Sequence, residues 1–76
     1  MTTINYYLPS DGEVVLQINN IEGQKVQRLL EEFQNKGFHS LTFDAKSLGP
    51  GIYFTALKLR TADNERIKMI KMIRNG

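Results

Sequence analysis

Apolar and polar positions alternate along this 76-residue chain in short runs separated by turn residues. In Thr3–Leu8, the side chains of Ile4, Tyr6 and Leu8 fall on one face; in Glu13–Asn19, Val14, Leu16 and Ile18 point inward while Gln17 and Asn19 point outward. Both runs read as strands with one buried face. Pro9, Ser10, Asp11 and Gly12 supply a turn between them, so the two are expected to pair as a hairpin. Asn20, Ile21, Glu22 and Gly23 make a second turn, in which asparagine and glycine are suited to left-handed backbone. Phe38–Phe43 alternates again with His39, Leu41 and Phe43 on one side, and after a polar turn at Thr61–Glu65 the chain closes on Arg66–Ile73.

The longest strand-like run follows the turn cluster Gly49, Pro50 and Gly51, through which no helix can pass. Asp44, ahead of the cluster, reads as a side-chain acceptor within a turn. Beyond Gly51, Tyr53, Leu57 and Leu59 share one face, whereas Ile52, Phe54 and Ala56 keep the other apolar until Lys58 and Arg60 take over. This predicts a central strand, buried on both faces at its start and solvated at its finish. Gln24–Gln34 is ambiguous. Val26, Leu29, Leu30 and Phe33 lie at helical spacing with Gly37 placed as a C-terminal cap, so pattern alone favours a helix over a bulged strand. Counted as strands, the segments number six, one short of a seven-stranded antiparallel sandwich.

Length allows a single domain spanning residues 1–76, and 41% hydrophobic residues with seven aromatics is ordinary for a globular fold. The chain has no cysteine, which removes disulfides and thiolate metal sites. Ten basic and eight acidic residues leave a charge of +2, too balanced to imply a nucleic-acid partner. The excess gathers late, in Arg66, Lys68, Lys71 and Arg74, which read first as the solvated side of a final strand. No run reaches the roughly 18 apolar residues of a membrane-spanning helix, and no signal peptide is recognisable, so any export signal is expected elsewhere. His39 is the only histidine and has no cysteine or second histidine beside it, so it reads as a packed or edge residue rather than a ligand or base. Asp11, Glu13, Asp44 and Asp63 sit in or beside different turns, and no pair is spaced for acid–base or metal work. These observations predict no catalytic residues, no metal and no cofactor.

The ordered set of segments resembles the C-terminal sorting domains of the type IX secretion system of Bacteroidetes. Thr2, Thr3, Ile4, Tyr6, Leu8 and Pro9 are similar to that family's opening TTIxYxLP strand, and Gly12, Val14, Leu16 and Ile18 to its second strand. Gly23, Lys25, Val26 and Leu29 are similar to its next pattern, while Gly37, His39, Leu41, Thr42, Phe43, Asp44 and Ala45 resemble its GxHxxTWDA strand. Leu48, Gly51, Ile52, Tyr53 and Phe54 resemble its L-x-x-GIYF segment, and Lys68, Met69 and Ile70 its last strand. Asn19 and Asn20 depart from the family's Tyr-Asp, and its proline-rich opening is absent ahead of Thr2; Met1 with Thr2 reads as an added start, and truncation would account for the missing strand.

The resemblance implies an all-β, immunoglobulin-like antiparallel β-sandwich of about six to seven strands, with Gln24–Leu30 a strand followed by a loop to Gly37. Tyr53, Leu41, Phe43, Leu16 and Ile18 are expected to share one core. It further implies a non-catalytic export address: a module following an upstream cargo domain, read by the outer-membrane machinery and cut off during surface attachment. Gly51 and Tyr53 with their turn, and the basic end Lys68, Lys71 and Arg74, are the candidate recognition residues. An immunoglobulin-like spacer or carbohydrate-binding module of a secreted enzyme is the alternative, although Tyr7 is the one aromatic that reads as clearly outward. Absence of a covering strand predicts a homodimer, formed by edge pairing or by exchange of Arg66–Ile73.

Overall fold

The computed structural model describes residues 1–74, less the side chains of Ser47 and Arg74. Six strands are present: β1 (Thr2–Leu8), β2 (Gly12–Asn20), β3 (Lys25–Gln34), β4 (Gly37–Phe43), β5 (Gly51–Arg60) and β6 (Glu65–Arg74). A single 3-10 turn, Ala45–Ser47, precedes β5, with the Asp44 carboxylate accepting the Lys46 amide at 2.9 Å. All pairing is antiparallel. β1 and β4 form a two-stranded sheet, which packs on a four-stranded sheet of order β3-β2-β5-β6. The fold is the expected all-β sandwich, and β5 is central in the larger sheet.

The alternation of β1 and β2 was read correctly except at Asn19, expected outward but buried, where its Oδ1 accepts from Gln17 Nε2 at 3.0 Å; their pairing was not read correctly. β1 pairs with β4, Thr2 opposite Phe43 through Leu8 opposite Gly37, while β2 pairs with β3 and β5. The Pro9–Gly12 turn carries the chain from one sheet to the other, so Leu8 and Val14 are both fully buried in the same cluster. Alternation fixes which side chains face the core; it does not choose a strand's partner. Gly12 is needed at the crossing because a β-carbon there would drive into the carbonyl oxygen of Arg60 and lie 3.0 Å from Leu59 Cδ1.

The β3 region is a strand, as the resemblance implied, but it runs four residues beyond Leu30. Its register against β2 shifts twice, at Leu16/Gln17 and at Ile18/Asn19, so that Leu29 and Val26 are passed over in the pairing. Each bulge adds one residue to a period of two, which produces the spacing of a helix face. Val26 and Phe33, two of the four positions on that apparent face, are exposed. At the preceding turn Gly23 adopts φ +84° and the Asn20 side chain accepts the amides of Glu22 and Gln24 at 3.0 and 2.9 Å. Asn20 thus supplies the side-chain acceptor at the point where the chain departs from the family pattern.

The core is two clusters rather than one. Tyr6, Leu8, Val14, Leu16, Leu57 and Leu59 form the first, and Ile18, Phe43, Ala45 and Leu48 the second, with Tyr53 and Met72 packed against its margin. Ile4 and Leu29 touch both clusters. Burying each large aliphatic side chain contributes about 1.5–3 kcal/mol. The Tyr6 hydroxyl donates to Gln34 Oε1 at 2.6 Å; burial raises the phenol above its ordinary pKa, and that hydrogen bond partly opposes the shift. His39 stacks on the Tyr6 ring at 5.4 Å and its Nε2 lies 2.7 Å from the Asn35 carbonyl oxygen, which accounts for it as a packed residue. In β5 the doubly buried portion is the middle, Thr55–Leu57; its start at Gly51 and Ile52 is exposed, contrary to the sequence expectation.

Candidate functional site

β6 lies outermost in the larger sheet and is joined to β5 alone. Directly opposed residues share a face, so the register against β5 sorts the terminal cations. Lys68 opposes Leu57 and Arg66 opposes Leu59, placing both on the side of the sheet that faces β1; Lys71 opposes Phe54 and points to the other side. The three cations do not form one patch. The backbone of Arg74 pairs with Gly51 at the far end of the ladder, and its side chain lies outside the described residues.

Gly51 opens β5 with φ +152°, a conformation that side-chain-bearing residues rarely adopt. Two residues on, the Tyr53 hydroxyl reaches back to donate to the Gly49 carbonyl oxygen at 2.7 Å, closing the turn over Pro50. Gly51 and Tyr53 therefore sit together at the end of the sheet where β6 finishes, with Met72 opposite Tyr53. Lys68 lies four residues away along β6 from this turn's partner. Tyr53→Phe is expected to cost about 0.5–1.5 kcal/mol, the net worth of one hydrogen bond. Urea unfolding of the variant measures it, and a midpoint equal to that of the parent would show that the bond holds nothing in place.

The two-stranded sheet does not extend over β6. Between β1 and the inner side of β6 run two adjoining clefts of about 370 and 360 Å³, which share Tyr7, Leu57 and Lys68 in their walls. Arg66 and Ile67 flank one end of this groove and Ile70 the other. Its walls carry two cations and no carboxylate. On the outer surface of the smaller sheet Tyr7 and Phe38 stand exposed with ring centroids 4.9 Å apart. Phe38 was missed as an exposed aromatic, although the alternation that puts His39, Leu41 and Phe43 on one side already sends it outward. Phe33 is exposed as well, opposite Glu13 on the outer face of the larger sheet.

Among the described residues no group of three or more histidine, aspartate or glutamate side chains is arranged to hold a metal ion. What the surface offers is shape, an apolar groove with a cationic wall, and an open strand edge, all of which suit recognition of another polypeptide. Comparison with known proteins bears on this directly. No curated protein and no solved structure matches the chain. The family model described as secretion system C-terminal sorting domain matches residues 1–73, from the first strand to the penultimate residue of β6. With the match running through all six strands, this chain belongs to the family of C-terminal sorting domains of the type IX secretion system.

Proposed function

We propose that the domain is the export address of a larger protein, read as a folded module by the outer-membrane machinery and removed when its cargo is attached at the cell surface. Membership of the family makes it a C-terminal sorting signal, and with that role come interaction with the type IX machinery, a cargo upstream and export across the outer membrane of a Gram-negative bacterium. The observation that carries the proposal is the match over residues 1–73. Recognition is assigned to the turn held by Gly51 and Tyr53 together with Lys68, Lys71 and Arg74. In isolation the domain pairs with a second copy through the strand Arg66–Ile73.

The test is a fusion of this segment, with its native upstream residues, to a reporter carrying an ordinary export signal, expressed in a bacterium that has the type IX system. The reporter is expected at the cell surface; a folded fusion retained in the periplasm would overturn the proposal. Charge reversal at Lys68 and Lys71 is expected to lower the surface fraction while leaving thermal unfolding of the domain unchanged.

The exposed Tyr7 and Phe38 rings favour one other reading, a carbohydrate-binding module of a secreted enzyme, because paired exposed aromatics suit stacking on apolar sugar faces. Retarded migration in a polysaccharide-containing native gel, abolished by Tyr7→Ala with Phe38→Ala, would support it over the sorting role.

A further inference from the structure

We infer that two copies of the chain pair antiparallel, β6 against β6, with Met69 of the two copies facing one another across the two-fold axis. The inference rests on the self-association proposed above and does not depend on recognition by the secretion machinery. Its first ground is that β6 is the longest edge strand described without a bulge, ten residues against seven in β1 and in β4. Its ten residues pair with β5 without a register shift, and no proline interrupts them. Ile67, Met69, Ile70 and Ile73 are exposed, distributed over both faces. At the opposite edge of the same sheet, β3 carries two register irregularities and a surface ion pair, Arg28 to Glu31 at 3.2 Å. Bulges and charges are the devices by which edges resist pairing; β6 has the second and lacks the first.

The second ground is where those charges fall. In a two-fold antiparallel pair, opposed residues lie on the same face, so only a few registers are open. Centring on Lys68 or on Lys71 sets a lysine against its own copy. Centring on Ile70 opposes Arg66 to Arg74, and centring on Ile67 opposes Arg66 to Lys68. Centring on Met69 gives no directly opposed like-charge pair: Lys68 faces Ile70, Lys71 faces Ile67, Arg66 faces Met72, and Glu65 faces Ile73. Glu65 also becomes a diagonal neighbour of the other copy's Lys71, while the two copies' Lys68 residues are left as diagonal rather than direct neighbours. Each cation then lays its aliphatic stem across an apolar partner while its charged end stays in water. The lysines therefore act as a register code: they penalise their neighbours' alignments and leave one long overlap open. The product is a continuous eight-stranded sheet in which the two outward backbone ladders of β6 satisfy one another.

Sedimentation equilibrium on the 76-residue chain should show the mass rising with concentration from 8.7 kDa towards twice that value. The chain has no cysteine, so single cysteines carry nitroxide labels without background. Labels at Met69→Cys are expected to show the shortest separation between copies, with Glu65→Cys and Ile73→Cys giving equal, longer separations of about 27 Å, eight residues of strand. Met69→Lys would place two lysines face to face and is expected to weaken association roughly tenfold. A monomer at every concentration overturns the pairing itself. A dimer whose closest labels are not at 69, including one formed by strand exchange between β5 and β6, overturns the register while leaving self-association standing. Surface delivery of the reporter fusion is read separately and moves with neither result.

Discussion

Leu16→Ala is expected to remove about 2–5 kcal/mol from the stability of the domain, the range for emptying a packed core position. Leu16 is fully buried at the middle of β2, with Leu30 opposite it on one side and Leu57 on the other. It belongs to the cluster that contains Tyr6 and Leu8 from the smaller sheet, so its side chain joins the two layers. The hole left by its removal has little means of closing, since the neighbours on both flanks are fixed by ladder hydrogen bonds. A domain of this length has roughly 4–11 kcal/mol of stability in all, so the loss takes a large share and should lower the melting temperature by about 4–8 °C per kcal/mol. Val26→Ala and Phe33→Ala, on the exposed side of β3, should each stay within about 0.5 kcal/mol. Thermal unfolding of the three variants compares them; equal losses would mean that the helix-like face of β3 is packed after all.

The second large effect is expected at a residue with no side chain. Gly12→Ala should destabilise by about 1–3 kcal/mol, because the added methyl meets the Arg60 carbonyl oxygen, which is backbone in the central strand and has nowhere to go. To make room, β2 must move away from β5 at the point where the chain crosses between sheets. Gly49→Ala is the matched control: its β-carbon would find only the Tyr53 hydroxyl, at 4.0 Å. Denaturant midpoints for the pair decide the matter. An unchanged Gly12→Ala would show that β2 and β5 are not held at the separation seen here.

β1, β2, β4 and β5 were legible because each keeps a buried face, and a period of two survives wherever the ladder is regular. β6 was legible only as an apolar run after a polar turn, for it buries no face and, of its described side chains, only Met72 is half-buried. β3 was not legible, since its two bulges rewrite that period into the spacing of a helix; the family resemblance corrected the type of element but not its length. The partners of β1 and β2 were misread for a different reason. A turn of Pro9 to Gly12 serves equally well for a hairpin or for a step between layers, and what distinguishes them here is the contact of Gly12 with Arg60, nearly fifty residues further on. The candidate surface shows the same limit. Lys68 and Lys71 were visible as charges on a final strand, yet which side of the sheet each occupies follows from the register against β5, a long-range fact. The groove beside β1 had no local signal at all, because it exists only through the mismatch between a two-stranded layer and a four-stranded one.

That mismatch also grades the molecule energetically. β2 and β5 lie between neighbours on both edges and hold most of the fully buried side chains, so their amides are released to solvent exchange only when the whole domain unfolds. β6 has one neighbour, a single half-buried side chain, Met72, among its described side chains, and the Thr55 hydroxyl donating to Met72 Sδ at 2.7 Å as a side-chain tie to the sheet. Its release is a separate and shallower event, in which the rest of the sandwich stays folded. A strand that detaches on its own exposes an extended, cationic segment intermittently while the fold that carries it persists.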